Sequence, residues 1–483
     1  MNHYDIVKYS VFVACIPLIF GCNSEKKRSM KKPNIIYIFT DQQSASMMSC
    51  AGNKWIKTPG MDYIAENGIR FTRAYTTNPV CSPARVSLMT GRFAGEFVDK
   101  QGKQVRENES SVNIPQISAE VKNSTIATYL KKAGYDLVYG GKEHLPASLR
   151  PTELGFRDIC NDERDVLAEE TAKFVKGKHE NPYFMVVSLI NPHDICFMAI
   201  RDFATSESVK KFIINSNVEC TTLDKALQMP EGVTEHDFFK KYCPPLPPNY
   251  EPQKDEPKAV KYLIDISAGL PNSDFMKMAR EKYTDKDWRM HRWAYVQLTQ
   301  FVDKNVQTIL DAVKENGQEE NTLIIFSSDH GDMDASHRML HKTAFYEESA
   351  NIPFMAMWKG HIPAGQIDND HLVSNGLDLL PTVCDYAEIK GGSDPRGSSL
   401  RPLFEAKEVK WRETLGVESE IGRMVVSNDK FKYMKYDAVG IEEQLFDLNK
   451  DPYEMNPITN IHEYKEKLVN MRRAFENEWF PGY

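Results

Sequence analysis

The stretch around Cys81 combines a reactive thiol with the signals that begin a helix. The chain reads Asn-Pro-Val-Cys-Ser-Pro-Ala-Arg up to Arg85. Ser82 suits the N-cap and Pro83 the first helical position, so we expect a helix that ends near Gly91. Cys81 would then precede a helix N-terminus, where backbone N–H groups and the macrodipole favour anions, and Arg85 adds a planar guanidinium. The pattern predicts an anion site beside a thiol; the simple alternative is a buried cysteine before an ordinary helix.

Ionisable or amide side chains follow four short apolar runs of the chain. Continuous apolar runs of this length are typical of strands buried on both faces of a parallel sheet. The runs are Asn34–Phe39, Asp136–Tyr139, Tyr183–Leu189 and Leu323–Phe326, and the polar residues after them are Asp41 and Gln42, Lys142 and His144, His193, and Asp329 and His330. Ligands bind outside the carboxyl ends of the strands in open parallel sheets. Because four strand ends would meet at one edge, a purely structural role for all these residues is hard to accept.

The elements that must position these residues alternate between strand and helix patterns. Amphipathic helical patterns lie at Ile126–Ala133 and Trp288–Val313, which predicts an α/β fold with a large mixed, mostly parallel sheet flanked by helices. We expect this catalytic domain to span residues 33–404. A smaller α+β subdomain would occupy residues 405–483, with strand-like runs near Thr414–Glu418, Arg423–Val426 and Lys430–Tyr436.

Composition excludes several classes of protein. The chain has 483 residues, of which 41% are apolar and 27% charged, as in a folded globular protein. Its net charge of −8 argues against a nucleic-acid partner, because such proteins normally present a basic face. The nine cysteines form no Cys-x-x-Cys pair and no zinc-site spacing, so neither a disulfide framework nor a structural zinc is indicated.

The N-terminal residues resemble a bacterial export signal. An apolar stretch from Val11 to Gly21 has the length of a signal-peptide h-region and is too short to span a bilayer. It ends in Leu-Ile-Phe-Gly-Cys, which resembles a lipobox with Cys22 as the lipidated residue. We therefore expect a lipoprotein-type signal peptide over residues 1–22, a tether over residues 23–32, and an exported, periplasmic protein held by a lipid anchor. A simple cleaved signal peptide is the alternative.

Cys81-Ser82-Pro83-Ala84-Arg85, followed by Ser-Leu-Met-Thr-Gly-Arg, resembles the signature of the formylglycine-dependent sulfatases, a family with the alkaline-phosphatase-like fold. Further blocks resemble that family in the same order along the chain. They are Pro33-Asn34-Ile35-Ile36 leading to Asp41, Gly141-Lys142-Glu143-His144-Leu145, Ser328-Asp329-His330-Gly331-Asp332, Lys342 before Tyr346-Glu347-Glu348, and Gln444-Leu445-Phe446-Asp447-Leu448. The resemblance covers nearly everything after the signal and implies a sulfuric ester hydrolase.

The resemblance also implies a role for each matching residue. A maturation enzyme would oxidise Cys81 to Cα-formylglycine, whose hydrated aldehyde is the nucleophile. One divalent cation, in this family usually Ca²⁺, would bind among Asp41, Gln42, Cys81, Asp329 and His330. Arg85, Lys142 and Lys342 would neutralise the sulfate, and His144 would orient the formylglycine. Apart from the resemblance, the alcohol leaving group needs a proton, which His193 or Lys342 could supply; we favour His193, because an imidazole titrates near neutral pH.

Two of these positions depart from the family pattern. The family more often has Asp where Gln42 stands and Asn where His330 stands. Gln42 still offers an amide oxygen, whereas His330 offers nitrogen, which suits calcium poorly. Asp41 and Asp329 are therefore the firmest metal ligands in this interpretation.

Within the family, Asp41-Gln42, His330 and the Asp-Ala-Ser-His-Arg stretch are most similar to bacterial glycosaminoglycan 2-O-sulfatases. That similarity implies exo-acting 2-O-desulfation of an unsaturated uronic acid in heparin, heparan or chondroitin fragments. Lys100, Lys103 and Arg106 would bind the uronate carboxylate, and His337 would line the entrance. A solvated basic loop and ordinary loop packing are the alternative interpretations of these four residues.

Other functions are also compatible with the sequence. Another carbohydrate sulfatase, such as a hexosamine 6-O-sulfatase, would carry the same motifs. A phosphodiesterase or phosphonate hydrolase could use a related sheet and metal site. A carbohydrate-binding lipoprotein with an inactive site is the least favoured alternative, because every catalytic position is occupied by a competent residue.

Overall fold

The computed structural model describes residue 1 and residues 32–99, 101–106, 114, 116–266, 273–391 and 396–480. The described residues from Lys32 onward group as one compact unit. The predicted signal peptide, most of the predicted tether, Cys22 and Lys100 lie outside the described residues. Within the described part of the chain, no helix combines the length and apolar character needed to cross a membrane.

Eight strands form the central sheet, and seven of them run parallel. The strands are β1 (Asn34–Asp41), β2 (Gly68–Phe71), β4 (Asp136–Gly141), β5 (Arg157–Cys160), β6 (Tyr183–Pro192), β7 (Thr322–Ser328), β8 (Phe354–Met357) and β9 (Gln366–Asp368). Their order is β5-β4-β6-β1-β7-β8-β2-β9, with β8 antiparallel to both neighbours. Two short strands, β3 (Ala74–Tyr75) and β10 (Val373–Ser374), pair separately. This architecture confirms the expected mixed, mostly parallel sheet.

Helices cover both faces of the sheet, as expected for a parallel sheet. The described helices are α1 (Pro59–Glu66), α2 (Cys81–Thr90), α3 (Ala119–Lys122), α4 (Ile126–Lys132), α5 (Pro151–Leu154), α6 (Asp165–Val175), α7 (Phe197–Asp202), α8 (Glu207–Asn215), α9 (Asn217–Ala226), α10 (Glu235–Lys241), α11 (Lys258–Ile266), α12 (Phe275–Lys282), α13 (Asp285–Glu315), α14 (Glu347–Ala350), α15 (Asn375–Tyr386), α16 (Arg401–Phe404) and α17 (Lys465–Trp479).

The central strand β1 is buried on both sides, which explains its unbroken apolar run. Ile36 and Ile38 belong to a core shared with α1, α6 and α13, while Ile35, Tyr37 and Phe39 belong to one shared with α2, α4 and α15. The strand pairs with β6 on one side and β7 on the other. The side chains after these three strands therefore meet at one edge of the sheet.

Helix α2 begins two residues earlier than the sequence pattern predicts. Val80 is the N-cap, in extended conformation, and Cys81 is the first helical residue, so Ser82 lies inside the first turn. Pro83 does not determine where the helix begins. Residues of the first turn have no intrahelical partner for their N–H groups, so proline costs no hydrogen bond at several positions there. Gly91 ends the helix in the left-handed conformation, with φ of 66°, as expected.

The C-terminal part of the chain forms an antiparallel sheet covered by one helix. Its strands are β11 (Thr414–Ser419), β12 (Gly422–Ser427), β13 (Phe431–Tyr436) and β14 (Glu442–Asp447), paired in that order. One face packs against α17 through an apolar cluster of Val425, Tyr433, Leu445, Leu468, Met471 and Phe475. The three predicted strand runs of this region are confirmed.

A buried ion network joins this sheet to the segment that follows Lys342. The Nζ of Lys432, on β13, lies 2.8 Å from Glu347 Oε1 and 2.9 Å from Glu454 Oε1. Lys432 has no exposed surface, and Glu454 also accepts a hydrogen bond from the Glu347 backbone N–H at 2.7 Å. Removing the ammonium would leave two carboxylates close together without their counter-charge.

We expect Lys432→Met to lower the free energy of unfolding by about 3–5 kcal/mol, because breaking a buried ion pair leaves the partner carboxylates without a counter-charge. Lys435→Met is the matched control on the same strand, since Lys435 is partly exposed and 3.6 Å from Glu476. Its cost should stay below about 1 kcal/mol. Chemical denaturation followed by tryptophan fluorescence measures both variants; equal midpoints for the two would contradict the prediction.

Candidate active site

Two carboxylates from adjacent strands lie at the centre of the site and share one arginine. Asp41 is the last residue of β1, and Asp329 directly follows β7. The Nη2 of Arg85 lies 2.8 Å from Asp41 Oδ2, and its Nε lies 3.0 Å from Asp329 Oδ2. Nη1 donates to the Lys142 carbonyl and to Ser188 Oγ, both at 2.8 Å. The guanidinium is therefore committed to holding the carboxylates.

The two carboxylates differ in how readily they ionise. Burial opposes ionisation of Asp41, but the nearby cations, Lys142 first and then Arg85, help to hold its pKa well below the usual value. Burial and the neighbouring charge of Asp41 raise the pKa of Asp329 to about 6. Like charges this close push two pKa values apart, so the pair needs the surrounding cations.

Cys81 lies among positive groups at the start of α2. Its Sγ is 2.7 Å from Lys342 Nζ, 3.1 Å from His330 Nε2 and 3.9 Å from Lys142 Nζ. The Oδ1 of Asp41 is 3.4 Å away. Burial and Asp41 act to raise the pKa of the thiol, yet the lysines and His330 together bring it well below its usual value. A residue at this position is surrounded by charge that stabilises an anion.

The two lysines keep their protons in this pocket. Lys142 follows β4, and its Nζ lies 2.7 Å from Asp41 Oδ2. Burial would lower the pKa of both Lys142 and Lys342, but Asp41 and Cys81 outweigh it, so both pKa values are raised. His144 is two residues beyond Lys142 on the same connection, partly exposed and with φ of 43°.

His193 enters from the end of β6, but in a different charge state from the one expected. Burial, Lys142 and Lys342 lower its pKa well below 6.5, and the opposing effect of Asp41 is smaller than theirs combined. The imidazole is therefore neutral at pH 7, which corrects the expectation of a group titrating near neutrality. Its Nδ1 is buried and has no hydrogen-bond partner among the described residues.

Four of the predicted ligands converge as a metal site would require. One ligand atom from each of Asp41, Cys81, Asp329 and His330 lies within 4.8 Å of all the others. His330 donates from Nδ1 to the Gly331 carbonyl at 2.9 Å, which leaves Nε2 facing the two carboxylates at 3.6 and 3.8 Å. Two carboxylates and an oriented imidazole fit a divalent cation, with Ca²⁺ remaining the predicted identity.

The structure does not bring all the predicted substrate residues to Cys81. His337 has no exposed surface, and its ring stacks on Tyr346 at 4.0 Å, as the packing alternative requires. Arg106 donates to the carbonyls of Ser419 and Gly422 and pairs with Asp437 at 3.1 Å. Lys103 is exposed on the same loop.

Three residues of the site were missed by the sequence interpretation. Ser188 lies inside the buried run of β6 and bonds Arg85, Cys196 lies three residues after His193, and Asp332 follows the metal-ligand block. The side chains of Cys196 and Asp332 both contact Gln42. Only Asp332 could have been found from the sequence, since it stands in the same motif as Asp329. Ser188 gave no such indication, because a single polar residue inside an apolar strand is usually interpreted as a packing feature.

Comparison with known proteins identifies the family of this chain. A family model described as "Sulfatase" matches residues 33–389, and one described as "N-sulphoglucosamine sulphohydrolase, C-terminal" matches residues 335–478. A delta 4,5-hexuronate-2-O-sulfatase of Bacteroides thetaiotaomicron is 26% identical over 475 residues, covering 93% of this chain and 89% of that protein. An N-acetylglucosamine-6-O-sulfatase of the same organism is 24% identical over 528 residues, with 98% and 91% covered.

A solved structure titled as a 2-O GAG sulfatase has a TM-score of 0.74 at 24% sequence identity, with 92% of each chain covered. The fold and the site thus define a hydrolase that acts on anionic esters. The chain belongs to the sulfatase family and hydrolyses sulfate esters.

Only the imidazolium form of His193 can donate a proton, and this side chain is neutral in the free enzyme. Its contribution to kcat/KM should therefore fall about tenfold for each pH unit throughout pH 6 to 8. We expect His193→Gln to lower kcat/KM by about 100-fold at pH 6, with the ratio of the parent to the variant declining steadily towards pH 8. Initial rates on an aryl sulfate measure the ratio, with His462→Gln, at an exposed histidine, as control. A ratio that stays constant up to about pH 6.5 and falls only above it would mean that His193 titrates normally, and the assigned charge state would be wrong.

Proposed function

We propose that this sulfatase removes the 2-O-sulfate from the uronic acid of glycosaminoglycan oligosaccharides, acting on the terminal unsaturated residue of heparin, heparan or chondroitin fragments. The position of Cys81 between Lys142 and Lys342 carries the sulfate-ester reaction. The uronate preference is supported by the relative named as a hexuronate-2-O-sulfatase and by Gln42 and His330, which replace the family's usual Asp and Asn. The relative named as a 6-O-sulfatase keeps the hexosamine alternative open.

Charge neutralisation is the main task of the residues around the thiol. A sulfate monoester is an anion, so any nucleophile must approach negative charge. Lys142 and Lys342 place two ammonium groups within 4 Å of Cys81 Sγ, where they cancel that repulsion and stabilise charge that develops on the transferred group. Arg85 acts indirectly in this proposal, because its guanidinium binds the two carboxylates rather than the sulfate.

Two groups would complete the site. Formylglycine made from Cys81 would supply the nucleophilic hydroxyl as its aldehyde hydrate. Asp41, Gln42, Asp329 and His330 would hold a divalent cation, which would supply further positive charge. The buried donor atoms described above fit such a cation. His144, next to Lys142 on the chain, keeps the predicted role of orienting the formylglycine side chain.

The leaving alcohol needs a proton, and two residues can provide one. Lys342 is protonated, because its raised pKa keeps the ammonium charged. His193 is neutral in the free enzyme, but its Nδ1 has no partner among the described residues, and a bound sulfate beside it would raise its pKa. We favour His193 as the donor, charged only once the anionic substrate is in place.

We expect Cys81→Ala to abolish turnover while the fold survives, because the nucleophile is lost and a single buried methyl-sized change is made. Cys160→Ala is the control, since Cys160 is a partly exposed cysteine at the edge strand β5. Aryl-sulfate turnover and thermal melting are measured for both, with intact mass reporting whether Cys81 is formylglycine in the parent. Turnover retained by the Cys81 variant would refute the assigned nucleophile.

The sulfate position is tested on unsaturated disaccharides that carry one sulfate each. We expect the uronate 2-O-sulfate to be released about 100-fold faster than the hexosamine 6-O-sulfate, because a site that binds polar groups discriminates strongly by position. Rates on an aryl sulfate and the matching aryl phosphate separate a sulfatase from a phosphodiesterase. Faster release of the 6-O-sulfate would make the chain a hexosamine sulfatase.

Export and lipid anchoring through Cys22 remain part of the proposal. They are supported by the apolar run and the lipobox-like Leu-Ile-Phe-Gly-Cys of the sequence. A tethered periplasmic enzyme would meet oligosaccharides as they enter the cell envelope, and it would need a maturation enzyme to act on Cys81 beforehand.

A further inference from the structure

The Gln42 side chain is completely buried and has two partners, Asp332 and Cys196. Its Nε2 donates to Asp332 Oδ2 at 2.6 Å. Cys196 Sγ lies 3.0 Å from the same nitrogen and 3.2 Å from Oε1. Gln42 directly follows the metal-site residue Asp41, and its backbone N–H donates to Asp329 Oδ1 at 3.1 Å. The amide is therefore part of the site, at a position where its orientation matters.

The two ends of this amide differ in what they can bind. Only Oε1 can bind a hard cation, whereas the NH₂ group repels one. The thiol of Cys196 is at nearly equal distance from both ends and can donate or accept, so it does not select an orientation. An ionised carboxylate only accepts, so Asp332 in its ionised form requires the NH₂ end and turns Oε1 the other way.

Asp332 is itself held in place from several sides. Its Oδ1 accepts the Asp334 backbone N–H at 2.7 Å, while its own backbone N–H and carbonyl both bond Ser44 Oγ, at 3.1 and 3.0 Å. Ser44 in turn contacts Tyr295, whose hydroxyl donates to the Gln42 carbonyl at 2.7 Å. The acceptor that fixes the amide is thus rigid.

We propose that Asp332 is a positioning residue: it fixes the Gln42 amide with Nε2 turned towards itself and so presents Oε1 to the divalent cation. The inference rests on the cation site of the proposed function. It assigns a purpose to an aspartate that touches neither Cys81 nor the sulfate. It also explains how a chain with glutamine where the family usually has aspartate can still supply an oxygen ligand, since an unoriented amide would offer nitrogen as readily.

The test is a double-mutant cycle on the dissociation constant of Ca²⁺, measured by calorimetry on the purified protein after metal removal. Asp332→Ala should weaken Ca²⁺ binding by about 10–100-fold, as loss of an outer partner of a metal ligand typically does. Gln42→Leu should weaken it at least as much. The double variant should be no worse than Gln42→Leu alone, because Asp332 acts only through Gln42.

Two further variants separate positioning from a general loss of fold. Asp332→Asn keeps the shape but offers an amide, so it should weaken binding, and Gln42→Glu combined with Asp332→Asn should restore it to within about threefold, because the new donor faces the new carboxylate. Asp303→Asn, at a buried carboxylate that accepts the backbone N–H groups of Gly60 and Met61, is the control and should leave Ca²⁺ affinity unchanged.

The outcomes distinguish this inference from the proposed function. Unchanged Ca²⁺ affinity in Asp332→Ala, or an effect that adds in full to that of Gln42→Leu, would overturn the positioning role even if sulfate turnover is confirmed. If the double-mutant cycle on Ca²⁺ affinity gives the expected result but the protein releases no 2-O-sulfate, the positioning role is supported and the proposed substrate is rejected. A parent protein that binds no Ca²⁺ would overturn the inference for that cation.

Discussion

The site depends on one arginine placed between two buried carboxylates. Asp41 and Asp329 lie at the ends of adjacent strands with no exposed surface, where two like charges would repel each other and avoid ionisation. Arg85 bonds one oxygen of each, and its planar fork spans both where a lysine's single ammonium could not. The remaining carboxylate oxygens are thereby kept charged and directed at a common point.

The same helix that carries this arginine also carries the thiol. Cys81 and Arg85 are one turn apart on α2, so the contact of Arg85 with the carboxylates also sets the position of Cys81 relative to them. Lysines from two further connections then surround the sulfur. Three basic groups, Lys142, Lys342 and His330, lie within 4 Å of Cys81 Sγ in a buried pocket, so several contacts together, rather than one strong bond, favour an anion there.

Much of this arrangement followed from the sequence, for identifiable reasons. Apolar runs such as Tyr183–Leu189 sit in a sheet buried on both faces, so their pattern is unambiguous, and the rule that ligands collect at strand carboxyl ends brought Asp41, Lys142 and Asp329 together. Properties that depend on the folded neighbourhood did not follow. Burial, together with two lysines distant in sequence, lowers the pKa of His193, and the stacking of His337 on Tyr346 depends on how the two residues are placed in the fold. The contacts of Arg85 with the two carboxylates also depend on the tertiary structure.

The segment from Lys342 to Ala350 has a consequence for how far the chain can be shortened. Thr343 donates its N–H to the Pro79 carbonyl and accepts Ser419 Oγ at its own carbonyl, while Glu347 pairs with Lys432. The ammonium that touches Cys81 is thus braced from β11 and β13. A polypeptide ending before Thr414 would retain every residue that contacts the sulfur and yet lose the support that keeps Lys342 there. The C-terminal sheet therefore supports the active site directly. Truncating the chain where the architecture changes, before Thr414, would remove that support.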